Sequence, residues 1–466
     1  MRCLWMTLLL AACSSSATMG PPDLALPPQH PIAVPEEPQR TGDATAGYHA
    51  LVNNGYVGCG IPYSTYSSVF GTAPASEQIP GRDGHNATLP FGQTAFTQPS
   101  GVEVVTANCL SCHAAKLQGK VVVGLGTTSQ DFTSDPSGQV ELAGMLISDP
   151  TEKAEWRKFA DRVEAVGPYA LTLTTGVTAA DNIAAVLFAH RDASTLAWSA
   201  TPILELPPPS DAPGVPVDVP PWWRMKKKNA MFYDGAGRGD QARIMMTAST
   251  LCTDDVAGAQ AIDAYFGDVR AYILSLEPPP YPLAVDATLA ARGQGVFESR
   301  CAECHGTYGA DATYPNFLIP VGDVGTDPTI ASGAAQFADR FVQWFASSFY
   351  GKTARLDPQP AYYAPPLDGI WATAPYLHNG SVPSLATLLD SSKRPAYWQR
   401  HVTDGQGNDF DAVEIGWQYD AVMAPASPNK RVYDTTKPGY GNGGHTYGDA
   451  LSADDRSALL EYLKTL

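Results

Sequence analysis

The chain has 466 residues, which is enough for two or three compact domains. Its 47 acidic residues outnumber 30 basic ones and give a net charge of −17. This balance argues against nucleic acid as a partner and favours a soluble, anionic surface.

The amino terminus has the pattern of an export signal. The apolar run from Cys3 to Ala12 is far too short to span a membrane as a helix, so residues 1–12 are predicted to be a signal peptide. Cys13 follows Leu-Ala-Ala and occupies the lipidated position of a bacterial lipoprotein box. The alternative is ordinary cleavage near Ser16 or Ala17.

A proline-rich stretch follows the lipidation site. Residues 13–40 are predicted to form an extended tether, because proline stiffens the chain without building a core. Ser14 after the cysteine resembles lipoproteins that are sent to the outer membrane. We therefore expect an exported protein with a lipid anchor in a membrane, facing the periplasm or the outside.

Two Cys-x-x-Cys-His motifs are the most informative feature of the chain. Their residues are Cys109, Cys112 and His113 in the first copy and Cys301, Cys304 and His305 in the second. In a c-type haem two thiols join the vinyl groups and the adjacent imidazole binds the iron. The spacing covers about one helical turn, so one helix start can hold the porphyrin edge and the iron together.

One such motif could be a redox dithiol or half of a zinc site. Two complete copies, each ending in histidine in an exported chain, predict two covalently bound haem c groups instead. Among the other cysteines, Cys59 and Cys252 are left over. We expect them to pair, because leftover thiols in an oxidising compartment often form a disulfide.

A proline-rich segment predicts the domain organisation. The segment 277–282 is rich in proline and marks a boundary between residues 41–282 and 283–466. Each part ends in a sequence with helical spacing, 269–276 and 460–466. The predicted fold is mainly α with extensive loops, in two tandem c-type cytochrome domains, since such domains close with a final helix.

The second domain also supplies the earlier helix of this arrangement, from Asp286 to Glu298. Gly293 and Phe297 lie four residues apart on one face of it. Glycine permits close backbone approach and the aromatic ring packs the crossing, so we expect this helix to cross the final one.

Iron ligation decides the function of a c-type haem, because a second strong ligand restricts it to electron transfer. His190 ends an amphipathic segment and is interpreted as a capping or hydrogen-bonded histidine. His445 lies among glycines before the final helix, where cytochrome domains often present a distal ligand. Met423 is its main rival.

Several segments resemble the bacterial superfamily of di-haem cytochrome c peroxidases and MauG enzymes. Residues 364–383 contain Pro375, Tyr376, His378 and Gly380, the pattern of its Pro-Tyr-x-His-x-Gly loop. Residues 220–229 and the closing glycine-rich histidine segment are most similar to the di-haem rubber oxygenases of that superfamily.

The resemblance implies that the first haem, with His113 as proximal ligand, is the reactive one. The second haem is implied to be six-coordinate, bound by His305 and His445. A tryptophan between the haems is characteristic of the superfamily, and Trp222 or Trp223 is placed for that catalytic role. A buried tryptophan pair without redox function is the alternative.

Three functions remain open. The first is an oxidoreductase that activates dioxygen or hydrogen peroxide at the first haem, either as an oxygenase that cleaves a hydrophobic alkene such as polyisoprene or as a peroxidase. The second is an electron carrier that serves a redox partner protein. The third is a haem protein that senses a small ligand. The long loops around each motif favour the enzyme.

Overall fold

The computed structural model of the chain describes residues 30–211, 214–401 and 408–466. Helices joined by long loops dominate, in agreement with the predicted mainly α class. The helices are α1 (Ala44–Asn53), α2 (Tyr63–Phe70), α3 (Leu110–His113), α4 (Ser137–Met145), α5 (Pro150–Val166), α6 (Ala180–Ala189), α7 (Gln241–Met245), α8 (Val256–Ser275), α9 (Ala287–Arg300), α10 (Ala302–His305), α11 (Val321–Val324), α12 (Thr329–Ser347), α13 (Leu385–Leu388) and α14 (Ala453–Leu463).

The strands are short. They are β1 (Ile32–Ala33), β2 (Ile61–Pro62), β3 (Gln93–Thr97), β4 (Glu103–Ala107), β5 (Ala114–Leu117), β6 (Lys120–Val123), β7 (Gly237–Gly239), β8 (Phe317–Pro320), β9 (Ala354–Leu356), β10 (Ala361–Tyr363), β11 (Tyr397–Arg400), β12 (Phe410–Asp411), β13 (Gly416–Trp417), β14 (Tyr419–Ala421) and β15 (Val432–Asp434). They pair antiparallel in the orders β1-β8-β10, β14-β11-β15, β12-β13, β2-β4-β3, β5-β6 and β7-β9.

The same helix crossing occurs in both halves of the chain. In the second half, a Cβ on Gly293 of α9 would lie 1.9 Å from the Ala458 carbonyl oxygen of α14, so only glycine fits. Phe297 packs beside Tyr462 with ring centroids 5.3 Å apart, which confirms the predicted crossing. In the first half, Gly47 of α1 approaches α8 equally closely.

Packing crosses the predicted boundary at residue 282. Helix α12 of the second half contributes to the core around the first motif, where Trp344 stacks on Phe188 with centroids 4.3 Å apart. Conversely, Leu117 and Trp223 of the first half belong to the core around α9 and α14. Each half therefore contributes side chains to the core of the other half.

The described end of the predicted tether is docked on the body of the protein. Strand β1 pairs with β8, and Val34 is buried. Glu37 forms an ion pair with Arg355 at 2.7 Å. The extended tether predicted for residues 13–40 is therefore wrong for its last residues, because backbone pairing and burial hold them. The predicted signal peptide and Cys13 lie outside the described residues.

Cys59 and Cys252 form a disulfide, with Cα atoms 5.5 Å apart, as the count of leftover thiols predicted. It joins the loop after α1 to the turn before α8, so it fastens the two helices that cross in the first half. Within the described part of the chain, no helix is both long enough and apolar enough to cross a bilayer.

Candidate functional site

The first attachment motif begins where β4 turns into α3. The backbone N–H of Cys109 donates to the Tyr56 hydroxyl at 2.6 Å, and the Asn108 side chain accepts from the Leu110 N–H at 2.8 Å. These bonds satisfy amide groups at the helix start that have no partner within the helix. Both thiols of the motif are free and half-buried, and burial raises the pKa of Cys109 to about 11.

The imidazole of His113 at the end of α3 lies against an aromatic ring. It stacks on Trp222 with centroids 4.7 Å apart and planes 20° apart. Burial lowers the pKa of His113 to about 4, and the backbone of Pro220 opposes this shift. The ring is therefore neutral at physiological pH, which is the form that binds a metal.

The second motif begins at the end of α9 and forms α10. The Nδ1 atom of His305 is 2.8 Å from the carbonyl oxygen of Pro365. A carbonyl can only accept, so Nδ1 carries the proton and Nε2 keeps its lone pair. Burial lowers the pKa of His305. Two free thiols, Cys301 and Cys304, stand beside it.

His445 faces His305. Their ring centroids are 6.2 Å apart and their planes are inclined by 56°. A metal bound by two imidazoles needs about 6 Å between the ring centroids, because each metal–nitrogen bond is about 2 Å and each nitrogen lies about 1 Å from its centroid. The donor set and this spacing fit one six-coordinate iron between the two rings.

The backbone of the 441–445 loop holds His445 in this position. Gly444 approaches residues 325 and 326 so closely that a Cβ would lie 2.1 Å from the Gly325 carbonyl carbon. The His445 N–H donates to Val324 at 2.7 Å, and Arg394 donates to the carbonyls of Asn442, Gly444 and His445. Burial lowers the pKa of His445 to about 3.

The other candidate iron ligands, Met423 and His190, do not lie opposite His305. Met423 is 88% exposed, so it does not face the second motif. His190 is the C-cap residue of α6 and contacts the Ser199 carbonyl oxygen at 2.8 Å, which confirms its interpretation as a hydrogen-bonded capping residue. Among the described residues, no histidine ring contacts that of His113.

The loop 364–383 lies between the second motif and the neighbouring core. Pro365 accepts the hydrogen bond from His305, and the Tyr376 hydroxyl donates to the backbone at Ile370 and Ile415. His378 stacks on Tyr362 at 4.0 Å, and its Nε2 atom is buried without a partner among the described residues. The structure therefore places the loop's first residues at His305 and His378 in a stack with Tyr362.

Trp222 and Trp223 belong to different cores. Trp222 packs in the core of the first motif, whereas Trp223 is fully buried in the core of the second. The Trp223 Nε1–H donates to the Asp368 carbonyl at 2.9 Å. The pair thus joins the surroundings of both motifs, and the catalytic role expected for Trp222 or Trp223 stays a prediction.

Sequence reasoning missed Arg224 and Arg394. Nothing in the local pattern distinguishes Arg394 from a surface arginine, because the carbonyls that it binds are about fifty residues away. In the lysine run 226–228, Lys226 pairs at the surface with Glu277 at 2.6 Å. Lys227 and Lys228 are half-buried, so the run is not simply a solvated face.

Comparison with known proteins gives a family match in this region. A family model described as "RoxA-like, cytochrome c-like" matches residues 361–399, which include the loop that holds His305. The match supports a relationship to RoxA-like c-type cytochromes, and such a domain implies covalently bound haem c.

Two proteins of Sinorhizobium fredii (strain NBRC 101917 / NGR234) are similar to the chain. The uncharacterized protein y4iM is 28% identical over 329 residues, which cover 61% of this chain and 71% of that protein. The uncharacterized protein y4iJ is 31% identical over 259 residues, which cover 41% of each chain. The match thus spans less than half of y4iJ.

Proposed function

We propose that the chain is an exported di-haem c-type cytochrome that activates dioxygen or hydrogen peroxide at the first haem. The observation that carries this proposal is the different setting of two identical motifs. His305 has a second imidazole opposite it at 6.2 Å, whereas His113 has the indole of Trp222 beside it.

This difference assigns two roles. The His305–His445 pair suits a six-coordinate iron that exchanges electrons, because both axial positions are taken by strong ligands. His113 supplies one axial nitrogen, and an indole beside it is not an iron ligand. A haem c held there by Cys109, Cys112 and His113 would supply the redox chemistry of its iron.

The tryptophan pair supports electron exchange between the two haems. Trp222 touches the ring of His113, and its neighbour Trp223 is bonded to the loop that accepts from His305. A stacking contact, the peptide link between the two tryptophans and one hydrogen bond therefore connect His113 to the loop at His305.

The substrate of the oxygenase branch is proposed from the family match. RoxA-like cytochromes are related to this chain over residues 361–399, and the sequence resembles the rubber oxygenases more widely. Dioxygen would insert both oxygen atoms into one carbon–carbon double bond and give two carbonyl groups. A peroxidase that takes electrons from a donor protein is the second candidate, since it needs the same two-haem asymmetry.

The test compares optical spectra and products under three conditions: the purified protein as isolated, with hydrogen peroxide, and with polyisoprene under air. Carbonyl products and dioxygen uptake in the third condition support the oxygenase. Peroxide turnover with a reduced donor and no carbonyl products supports the peroxidase. An unchanged spectrum under all conditions contradicts both and favours the electron carrier.

A further inference from the structure

Arg224, directly after the tryptophan pair, is a buried cation that forms no ion pair within the described ranges. It is 8% exposed and donates to the Asp368 carbonyl and to the Thr373 hydroxyl, both at 3.1 Å. A guanidinium has five N–H donors, so three are not used in any hydrogen bond within the described ranges. The carboxylate of Asp368 acts on Arg224 only from a distance, because it is paired with Lys227 at 2.7 Å.

Lys228 is a second, half-buried cation of the same segment. Its Nζ atom lies 3.4 Å from the Phe232 carbonyl and 4.5 Å from the centre of the Tyr363 ring, and it has no carboxylate partner among the described residues. Burial and, less strongly, the charge of Arg224 lower the pKa of Lys228 to about 8. The two positive charges of this segment therefore act on each other.

Several other buried arginines within the described ranges are compensated. Arg243 forms an ion pair with Asp263 at 2.7 Å, and Arg162 forms one with Asp254 at 2.8 Å. Arg82 donates to several backbone carbonyls. An uncompensated internal charge is strongly unfavourable, and a chain of net charge −17 has carboxylates to spare. The partner of Arg224 is therefore expected to be a bound anion.

The position of Arg224 indicates where that anion lies. Its side chain bonds Asp368, to whose carbonyl Trp223 also donates, and its charge acts on His305 and Tyr308 of the second motif. A haem at this motif carries two propionate carboxylates. A carboxylate is the planar, bidentate partner that a guanidinium binds best.

We propose that the buried Arg224 forms a carboxylate-binding site that holds a propionate of the second haem, with Lys228 four residues along adding positive charge to the same segment. The proposal rests on the proposed di-haem function, and it gives the segment 224–228 a defined role. Arg224 anchors the cofactor and places a positive charge beside it. Lys226, two residues along, forms an ion pair at the surface instead.

The test is a redox titration of the full haem-loaded protein at several pH values, with the second haem identified by its low-spin signal. A positive charge near the haem stabilises the reduced state, because reduction adds an electron. Arg224→Gln should lower the potential of the second haem and move its propionate-linked pH dependence to higher pH. Arg224→Lys should restore much of both, and Lys226→Gln should change neither.

The source of the anion is separated by buffer composition. A propionate leaves the wild-type potential independent of inorganic phosphate. A potential that follows phosphate concentration in the wild type, and not in Arg224→Gln, overturns the propionate and shows a free oxyanion at the same cations. Unchanged potential and pH dependence in Arg224→Gln, with two haems still attached by pyridine haemochrome assay, overturns the proposal itself. Absence of haem in the wild type instead contradicts the di-haem function.

Discussion

His113 and His305 end two helices of equal length, α3 and α10, yet their imidazole rings meet different groups. His305 is oriented by a backbone carbonyl and opposed by His445. His113 lies parallel to Trp222, and no other histidine ring of the described chain reaches it. The histidine of the same five-residue motif thus has a second imidazole opposite it in one half and an indole beside it in the other.

The comparison shows that ligation is decided far from the motif. His445 is 140 positions from His305, and its loop is held by Arg394 and by a glycine that fits against Gly325. The first half has no counterpart of this loop among its described residues. Loops outside the motif therefore give the two motif histidines different neighbours, and the proposed function assigns different chemistry to them.

The largest expected effect comes from removing either pair of thiols. Cys109→Ala with Cys112→Ala should halve the haem content, and Cys301→Ala with Cys304→Ala should do the same, because each pair binds one haem. A pyridine haemochrome assay measures this. The remaining spectrum should differ between the two variants, low-spin in the first and ligand-binding in the second. Identical spectra would contradict the asymmetry.

His445→Ala should remove the imidazole that lies opposite His305. Removing one strong axial nitrogen changes the spin state of that iron alone, so a new high-spin signal should appear while the first haem is unchanged. Electron paramagnetic resonance of the oxidised protein measures both haems at once. Met423→Ala is the matched control and should leave every signal in place, because this methionine is 88% exposed.

Loss of the disulfide should act on the first half. Cys59→Ser with Cys252→Ser removes a cross-link over 193 positions and should cost about 2–5 kcal/mol of unfolding free energy. Tyr56, three residues before Cys59, bonds the Cys109 amide, so the first haem should become more accessible before the second. Denaturant unfolding followed at each haem band measures the order. Simultaneous loss at the same lower midpoint would show that the halves unfold as one unit.

A buried carboxyl at the contact between the halves should make stability depend on pH. The Asp218 N–H donates to the His378 carbonyl, and burial raises the pKa of Asp218 to about 8, against the opposing effects of Tyr233 and Arg224. Between its usual pKa and about 8 the folded state keeps a proton that the unfolded state releases. The free energy of unfolding therefore falls as pH rises, by up to roughly 1 kcal/mol per pH unit.

Asp218→Asn removes this titration. Its stability relative to wild type should grow from pH 5 to pH 8 and stay constant above that, as measured by thermal unfolding at each pH. Asp339→Asn, at an exposed position, should follow the wild-type profile. A pH-independent difference for Asp218→Asn would contradict the raised pKa.

The smallest effect should come from the two tryptophans, and it should be local. Trp222→Phe weakens the stacking on His113 and should shift the absorption of the first haem only. Trp223→Phe loses the hydrogen bond to Asp368 and should cost about 1 kcal/mol. Spectra of the two variants side by side test whether each indole belongs to one half. A shift of both haems in both variants would contradict that division.

Local pattern was sufficient for several features and not for others. The helices at the motifs, the crossing at Gly293 and the glycine loop of His445 each depend on spacing over a few residues, and the leftover thiols required only a count. Strand β1 pairs with β8, and Trp344 stacks on Phe188. Both contacts join residues more than 150 positions apart, so local sequence patterns do not predict them. In the sequence, Arg224 is one of several basic residues in the segment 224–228. Only the packing shows that it is buried and forms no ion pair within the described ranges.

The central claim is that one haem iron has two protein ligands and that the other has a position free for a small ligand. Carbon monoxide titration of the fully reduced wild-type protein tests it most directly, with haem content measured on the same sample. The account predicts one carbon monoxide bound for every two haems, at the haem that persists in Cys301→Ala with Cys304→Ala. Two haems that both refuse the ligand, or both bind it, would contradict the account.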